Sequence, residues 1–244
     1  MRDYEVELRN RVQFIRDCLE AASAQGIVYG NSGGKDSALV GILCKKACEN
    51  TVGLIMPCRS RRSYHQDRRD AEAFAQQFGI AARVVDLGKV LDELETAVGN
   101  VTSLTDLGVA NMAPRLRMTT LYAVAASENR LVAGTGNRSE GYMGYFTKWG
   151  DGAYDFNPIG DLTVTEVYEF LRFLGAPASI LEKAPSAGLF DGQTDEGEMG
   201  VSYQSIDAFL AGAAISSAEQ SVIEKYHQAT EHKRRLPLVY GGRA

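Results

Sequence analysis

GIVYGNSGGKDS, from Gly26 to Ser37, decides the fold. Ile27, Val28 and Tyr29 form an apolar, β-prone run, which predicts a buried strand. Gly30 to Lys35 supply small residues and one cation, and Asp36 opens an amphipathic run through Leu39, Val40, Ile42 and Leu43. The order is strand, tight glycine turn, helix N-terminus. Glycines let backbone N–H groups approach an anion, and the helix dipole favours negative charge there. Phosphate is the ligand such a turn fits. Walker A would need Ser or Thr after Lys35, where Asp36 stands, and G-x-G-x-x-G is absent. A carboxylate beside a phosphate cradle makes sense as a Mg²⁺ ligand, since hard cations take oxygen. The plainer alternative, an ordinary βα turn, accounts poorly for glycines, hydroxyls, a cation and an anion together in SGGKDS.

Outward from this stretch, strands and helices alternate. Residues 3–24 predict a charged amphipathic helix with Val6, Phe14, Ile15 and Leu19 as packing positions. TVGLIMP is a second strand ended by Pro57, and 58–66 a polar, arginine-rich loop. Asp67 opens a helix stopped by Gly79, AARVVDL is a third strand, and 88–98 a helix. Residues 101–113 fit neither period. Pro114 is placed as the first residue of a helix through Leu121 and Val124. RLVAGT (130–135) is a fourth strand. Residues 136–158 read as a long loop rich in Gly, Tyr and Phe, followed by a helix at 164–174, a second loop at 184–200, and helices at 202–213 and 217–232. Such alternation predicts a doubly wound parallel sheet flanked by helices. Its ligands sit beyond the strand C-termini, where Ser32, Gly33 and Thr135 would gather.

At 244 residues the chain suits one α/β domain. A net charge of −5 gives no overall nucleic-acid footprint. The basic cluster Arg59, Arg61, Arg62, Arg68 and Arg69 reads as a solvated face. Cys18, Cys44, Cys48 and Cys58 form no C-x-x-C pair, and no signal peptide or apolar membrane-spanning run is evident, so a cytoplasmic setting is expected.

Three further stretches carry chemistry. In GTGNRSE (134–140), Glu140 is a second carboxylate that can face Asp36 and share a metal, though a lone loop glutamate is often only a solvated charge. GYMGYFTKWGDGAYDFNPIGDL (141–162) offers cations and aromatics suited to a nucleotide or pyridine ring. APSAGLFDGQTDEGEMGVSY brings Ser186, Asp195 and Glu196, which can meet phosphate, metal or substrate.

Together these motifs closely resemble the ammonia-dependent NAD synthetases of the PP-loop ATP pyrophosphatase superfamily, with its adenine nucleotide α-hydrolase-like fold. SGGKDS, PRLRM, GTGNRSE, GYFTKWGDG, PIGDL, PSAGL, QTDEGEMGVSYQSID and EHKRRLP follow in the family's order over most of the chain. The resemblance implies a carbon–nitrogen ligase with one synthetase domain, residues 1–244, and no glutaminase domain. It implies adenylation of deamido-NAD by ATP, release of pyrophosphate, and displacement of AMP by ammonia. Gly30, Ser32, Gly33, Gly34, Lys35, Asp36, Ser37, Thr135 and Ser186 would bind ATP, while Asp36 and Glu140 would hold Mg²⁺. Arg117, Tyr145, Phe146, Lys148, Asp151, Asp195 and Glu196 would serve the deamido-NAD pocket, with Asp36, Glu140, Lys148 and Asp151 closest to catalysis. A homodimer with the dinucleotide site at the subunit interface is also implied. Val164 stands where the family usually has a lysine facing the ATP phosphates, which predicts weakened phosphate binding. Another PP-loop amidation, a sulfur transfer using Cys58, or a non-catalytic nucleotide sensor are the competing readings.

Overall fold

The computed structural model describes residues 2–58, 63–183 and 194–241. Helix α1 (Tyr4–Ala22) is N-capped by Asp3, whose side chain accepts from the Glu5 and Val6 amides. Strand β1 (Gly26–Gly30) leads into α2 (Lys35–Ala47), then β2 (Thr51–Ile55). After a single π-helical turn (Ser63–Asp67) come α3 (Arg68–Gln77), β3 (Ala81–Val84) and α4 (Gly88–Gly99). Residues 101–113, ambiguous in sequence, contain the short α5 (Asp106–Ala110), capped by Thr105. Helix α6 (Met112–Glu128) begins two residues before Pro114. Proline is tolerated there because amides of the first turn lack intrahelical acceptors. Strand β4 (Arg130–Ala133) follows.

The four strands are parallel in the order β3-β2-β1-β4. Ile27 pairs with Thr51 on one side and Leu131 on the other. The chain leaves β1 toward β2 and β3, then returns to β4 on the opposite side. The order thus reverses between β1 and β4, and ligands of such sheets bind at that switch point.

Period-two alternation divides the core. Ile27 and Tyr29 face a layer with Ile15, Leu39, Leu43, Phe74 and Phe170, whereas Val28, Val52 and Leu54 face Leu91, Ala125 and Val132. Strand β3 is the exposed edge.

Several sequence expectations need correction. The 136–158 segment contains a helix, α7 (Arg138–Met143), started by a capping box between Asn137 and Glu140. After α8 (Val164–Phe173) and α9 (Ala178–Leu181), part of the expected 184–200 loop is α10 (Asp195–Met199). Helices α11 (Tyr203–Leu210) and α12 (Ser217–Ala229) complete a third apolar cluster around Met143, Val164, Met199, Tyr203, Ile206 and Ile223. On α1, Val6 and Phe14 are exposed, and the buried face is Arg11 and Ile15. Arg11 is tolerated there because it donates to Asp161 at 2.6 and 2.8 Å, to Glu7 at 2.7 Å and to the Pro158 carbonyl.

Candidate active site

The glycine turn after β1 is held from several sides. Asn31, 2% exposed, donates to the Ala71 carbonyl at 3.0 Å and accepts from the Gly33 amide at 3.3 Å. Gly33 has φ +71°, and a Cβ there would lie 2.5 Å from the Asp67 carbonyl oxygen, so α3 presses on a position only glycine fills. Ser32 Oγ accepts from the Gly34 amide at 3.3 Å and lies 3.1 Å from Ser37 Oγ. Ser37 is buried and donates to the Gly34 carbonyl, so it braces the turn from within. Gly34 caps α2, a 13-residue helix whose first turn meets the loop. The first-turn amides of α2, the positive end of its dipole and the small residues before it make this an anion cradle.

Beside it stands an acidic pair. Asp36 Oδ2 lies 2.8 Å from Lys35 Nζ, and Glu140 Oε1 lies 3.9 Å from the same ammonium. Asn137 links them: its side-chain amide donates to Asp36 Oδ1 at 3.1 Å, and its backbone amide donates to Glu140 Oε2 at 3.2 Å. Desolvation first, and then the Asp36 charge, push the Glu140 carboxyl well above its usual range, and Lys35 offsets only part of this. Burial works against the Lys35 charge, but Asp36 and Glu140 outweigh it and hold the ammonium above its usual value.

These groups open into one cleft of about 490 Å³ at the ends of β1 and β4. Gly30, Ser32, Gly34, Lys35, Asp36, Thr135 and Glu140 line it, as do Arg117, Tyr145, Phe146, Asp151 and Asp195. Arg117 donates to the Met56 carbonyl at 3.2 Å, and desolvation lowers its guanidinium from the usual value. Tyr145 donates to Glu198 at 2.7 Å, and Asp195 accepts from the Tyr203 hydroxyl at 3.0 Å.

Three predicted positions lie outside the cleft lining. Lys148 turns away from the cleft, donating to the His232 carbonyl and standing 5.4 Å from the Trp149 ring centroid. Glu196 is engaged at the start of α11, accepting from the Tyr203 amide at 2.7 Å. Val164 is 4% exposed in the third apolar cluster and does not line the cleft. Ser186 lies outside the described residues, as do Arg59, Arg61 and Arg62.

Two further cations stand at the cleft. Lys233 lines the cleft, donates to the Gly144 and Phe146 carbonyls at 2.8 and 2.7 Å, and has its ammonium lowered by desolvation. Lys183 donates to the Gly33 carbonyl at 3.0 Å and pairs with Asp67 and Asp70 at 2.8 and 2.9 Å, tying the glycine turn to α3. EHKRRLP contained Lys233, but nothing local signals that it folds back on residues 144–146.

The NAD synthase family profile matches residues 7–237. The chain belongs to the NAD synthase family. Its relatives include the NH(3)-dependent NAD(+) synthetase of Carboxydothermus hydrogenoformans, 46% identical over 97% of this chain and 98% of that one. Among solved structures, NMN synthetase from Francisella tularensis superposes with a TM-score of 0.93 at 39% identity, covering 98% of this chain and 99% of that one. NH3-dependent NAD synthetase from Campylobacter jejuni gives 0.81 at 29% identity, covering 98% and 99%. The fold expected from Gly26–Ser37 is thus the fold of this family. Among the described residues, no helix is long and apolar enough to cross a membrane.

Proposed function

We propose that the protein amidates deamido-NAD with ammonia at the expense of ATP, as a carbon–nitrogen ligase. The observation that carries this reading is the anion cradle of Ser32 to Lys35 opening, in one cleft, onto the half-buried Asp36–Glu140 pair and onto Arg117, Tyr145 and Phe146. A nicotinate carboxylate oxygen attacks the α-phosphorus of ATP, the P–O bond to pyrophosphate breaks, and an acyl-adenylate forms. Ammonia then attacks the acyl carbon, AMP departs with the electron pair of the C–O bond, and the amine loses a proton. The protein contributes mainly position and charge.

In this reading the Ser32–Ser37 turn holds the departing pyrophosphate, and Thr135 borders the adenylate. Arg117 suits an anionic group of the second substrate, and Tyr145 and Phe146 offer faces for a pyridine ring. Asp36 and Glu140 suit Mg²⁺: two half-buried hard-oxygen donors, with room for phosphate oxygens to complete the shell. When bound, that ion would neutralise charge on the phosphates. Lys148 and the 48%-exposed Trp149 lie on the surface beside the cleft, so Lys148 would serve a dinucleotide only across a subunit boundary, in keeping with a homodimer. A cytoplasmic location accords with the substrates.

A second reading exchanges the dinucleotide for nicotinate mononucleotide, and the 0.93 TM-score against an NMN synthetase favours it. The chemistry is unchanged because the same carboxylate is activated. Comparing kcat/KM for the two nicotinates with ATP, Mg²⁺ and ammonium held fixed separates the readings. Preference for deamido-NAD supports the first, preference for the mononucleotide the second, and turnover of neither overturns both.

A further inference from the structure

Lys35 is the residue between the glycines and Asp36, and its side chain is 6% exposed. Its ammonium touches Asp36 at 2.8 Å and stands 3.9 Å from Glu140. The rings of Tyr203 and Tyr168 flank it, with centroids 5.6 and 6.0 Å away. It therefore sits against the two carboxylates assigned above to the metal. A Mg²⁺ ion lies about 2.1 Å from its oxygen ligands. An ammonium hydrogen-bonded to the same carboxylate would stand only a few ångströms from the ion, and like charges at that range repel strongly even when partly screened. The two cations exclude one another on this pair.

We propose that Lys35 is the resident counter-ion of the Asp36–Glu140 pair, and that a divalent metal displaces its ammonium onto the phosphate oxygens of the bound nucleotide. This rests on the reading of those carboxylates as the metal site. The stem starts on the first turn of α2, directly after the anion cradle, and Lys35, Asp36 and Glu140 all border the open cleft. A flexible four-carbon chain can exchange partners without backbone movement. Of two other positions considered for this role, Val164 is apolar and Lys183 is tied to Asp67, Asp70 and the Gly33 carbonyl. Lys35 thus compensates the carboxylates before metal arrives and the phosphates afterwards. Metal and nucleotide must then bind with positive coupling, because each removes the penalty the other meets.

The test is titration of nucleotide-free protein with Mn²⁺, followed by the electron paramagnetic resonance signal of free Mn²⁺. Lys35→Met removes the competitor with little change in volume. It is expected to bind Mn²⁺ at least about tenfold more tightly than the parent, given a full charge removed at contact range. Adding Glu140→Gln should abolish that gain. Mn²⁺ should also raise the Tm of Lys35→Met more than that of the parent, and ATP should tighten Mn²⁺ binding less in the variant. Lys35→Gln serves the same comparison if the methionine variant fails to fold. Equal Mn²⁺ affinity in parent and both Lys35 variants, with Glu140→Gln still weakening it, overturns the displacement but spares the metal site. Affinity indifferent to Lys35 and Glu140 alike overturns both.

Discussion

Placing a lysine at Val164 tests whether family resemblance or local packing decides how this chain handles phosphate. Val164 is 4% exposed among Met143, Met199, Tyr203 and Ile206. Its amide donates to Ser139 Oγ at 3.2 Å, and the next amide, of Thr165, donates to Asp207 Oδ2 at 2.8 Å. Thr163 and Glu166 close a capping box around the same turn. The N-terminus of α8 is therefore saturated by protein acceptors rather than open to phosphate. Removing the valine forfeits about 1.5 kcal/mol of burial. Ordering a lysine costs up to about 2 kcal/mol, and a partly desolvated ammonium adds more unless its stem carries it to the cleft. Val164→Lys is accordingly expected to lose about 2–4 kcal/mol of stability. In a domain of this size that lowers Tm by roughly 5–15 °C. Resemblance alone predicts a charge-assisted phosphate contact worth about 1.5–3 kcal/mol in ATP use. Thermal unfolding and steady-state kinetics with varied ATP decide between them. A variant as stable as the parent with a KM for ATP about tenfold lower would refute the packing argument.

Gly33→Ala forces a side chain into the left-handed region and against the Asp67 carbonyl, so it should cost about 1–3 kcal/mol and weaken ATP binding, both measurable by calorimetry. Lys183→Met frees the Gly33 carbonyl and leaves Asp67 and Asp70 without their shared cation. KM for ATP should rise about tenfold while KM for the nicotinate substrate changes little, and equal changes in both would argue for general damage. Burial opposes the charges of Asp161 and Glu166, but Arg11 and Arg2 respectively outweigh it and hold both carboxyls below their usual range. Their stabilisation is present above the unfolded value near about 4 and is lost as pH falls through the lower folded values. The Tm deficit of Arg11→Met should therefore be steady above about pH 5 and shrink below about pH 3. With ammonium limiting, the rate should rise between about pH 7 and 8.5 as free ammonia increases, and glutamine should not replace it.

What was legible in the sequence was local. Strand, glycine turn and helix are contiguous in Gly26–Ser37, so the phosphate cradle could be read and the parallel sheet followed from the alternation around it. Asn137 and Glu140 carried a capping-box spacing, but a helix of six residues leaves too little periodicity to separate from a Gly- and Tyr-rich loop. Partners distant in sequence were not legible. Asn137 meets Asp36 across 101 residues, and Lys183 meets Gly33 across 150. Arg11 took the buried side of α1 from Phe14 because Asp161, far along the chain, compensates its charge. Glu196 and Lys148 matched the family motif by position, yet backbone groups engage both, and motif spacing carries no information about which way a side chain turns.

The fate of the ATP phosphates tests the central claim most directly. Phosphorus NMR of a reaction containing ATP, Mg²⁺, ammonium and deamido-NAD or nicotinate mononucleotide reads every phosphorus product at once. Adenylation requires AMP and pyrophosphate, each formed in step with one amidated nucleotide. ADP and orthophosphate would contradict it, since they would mean attack at the γ-phosphate rather than at the α-phosphate.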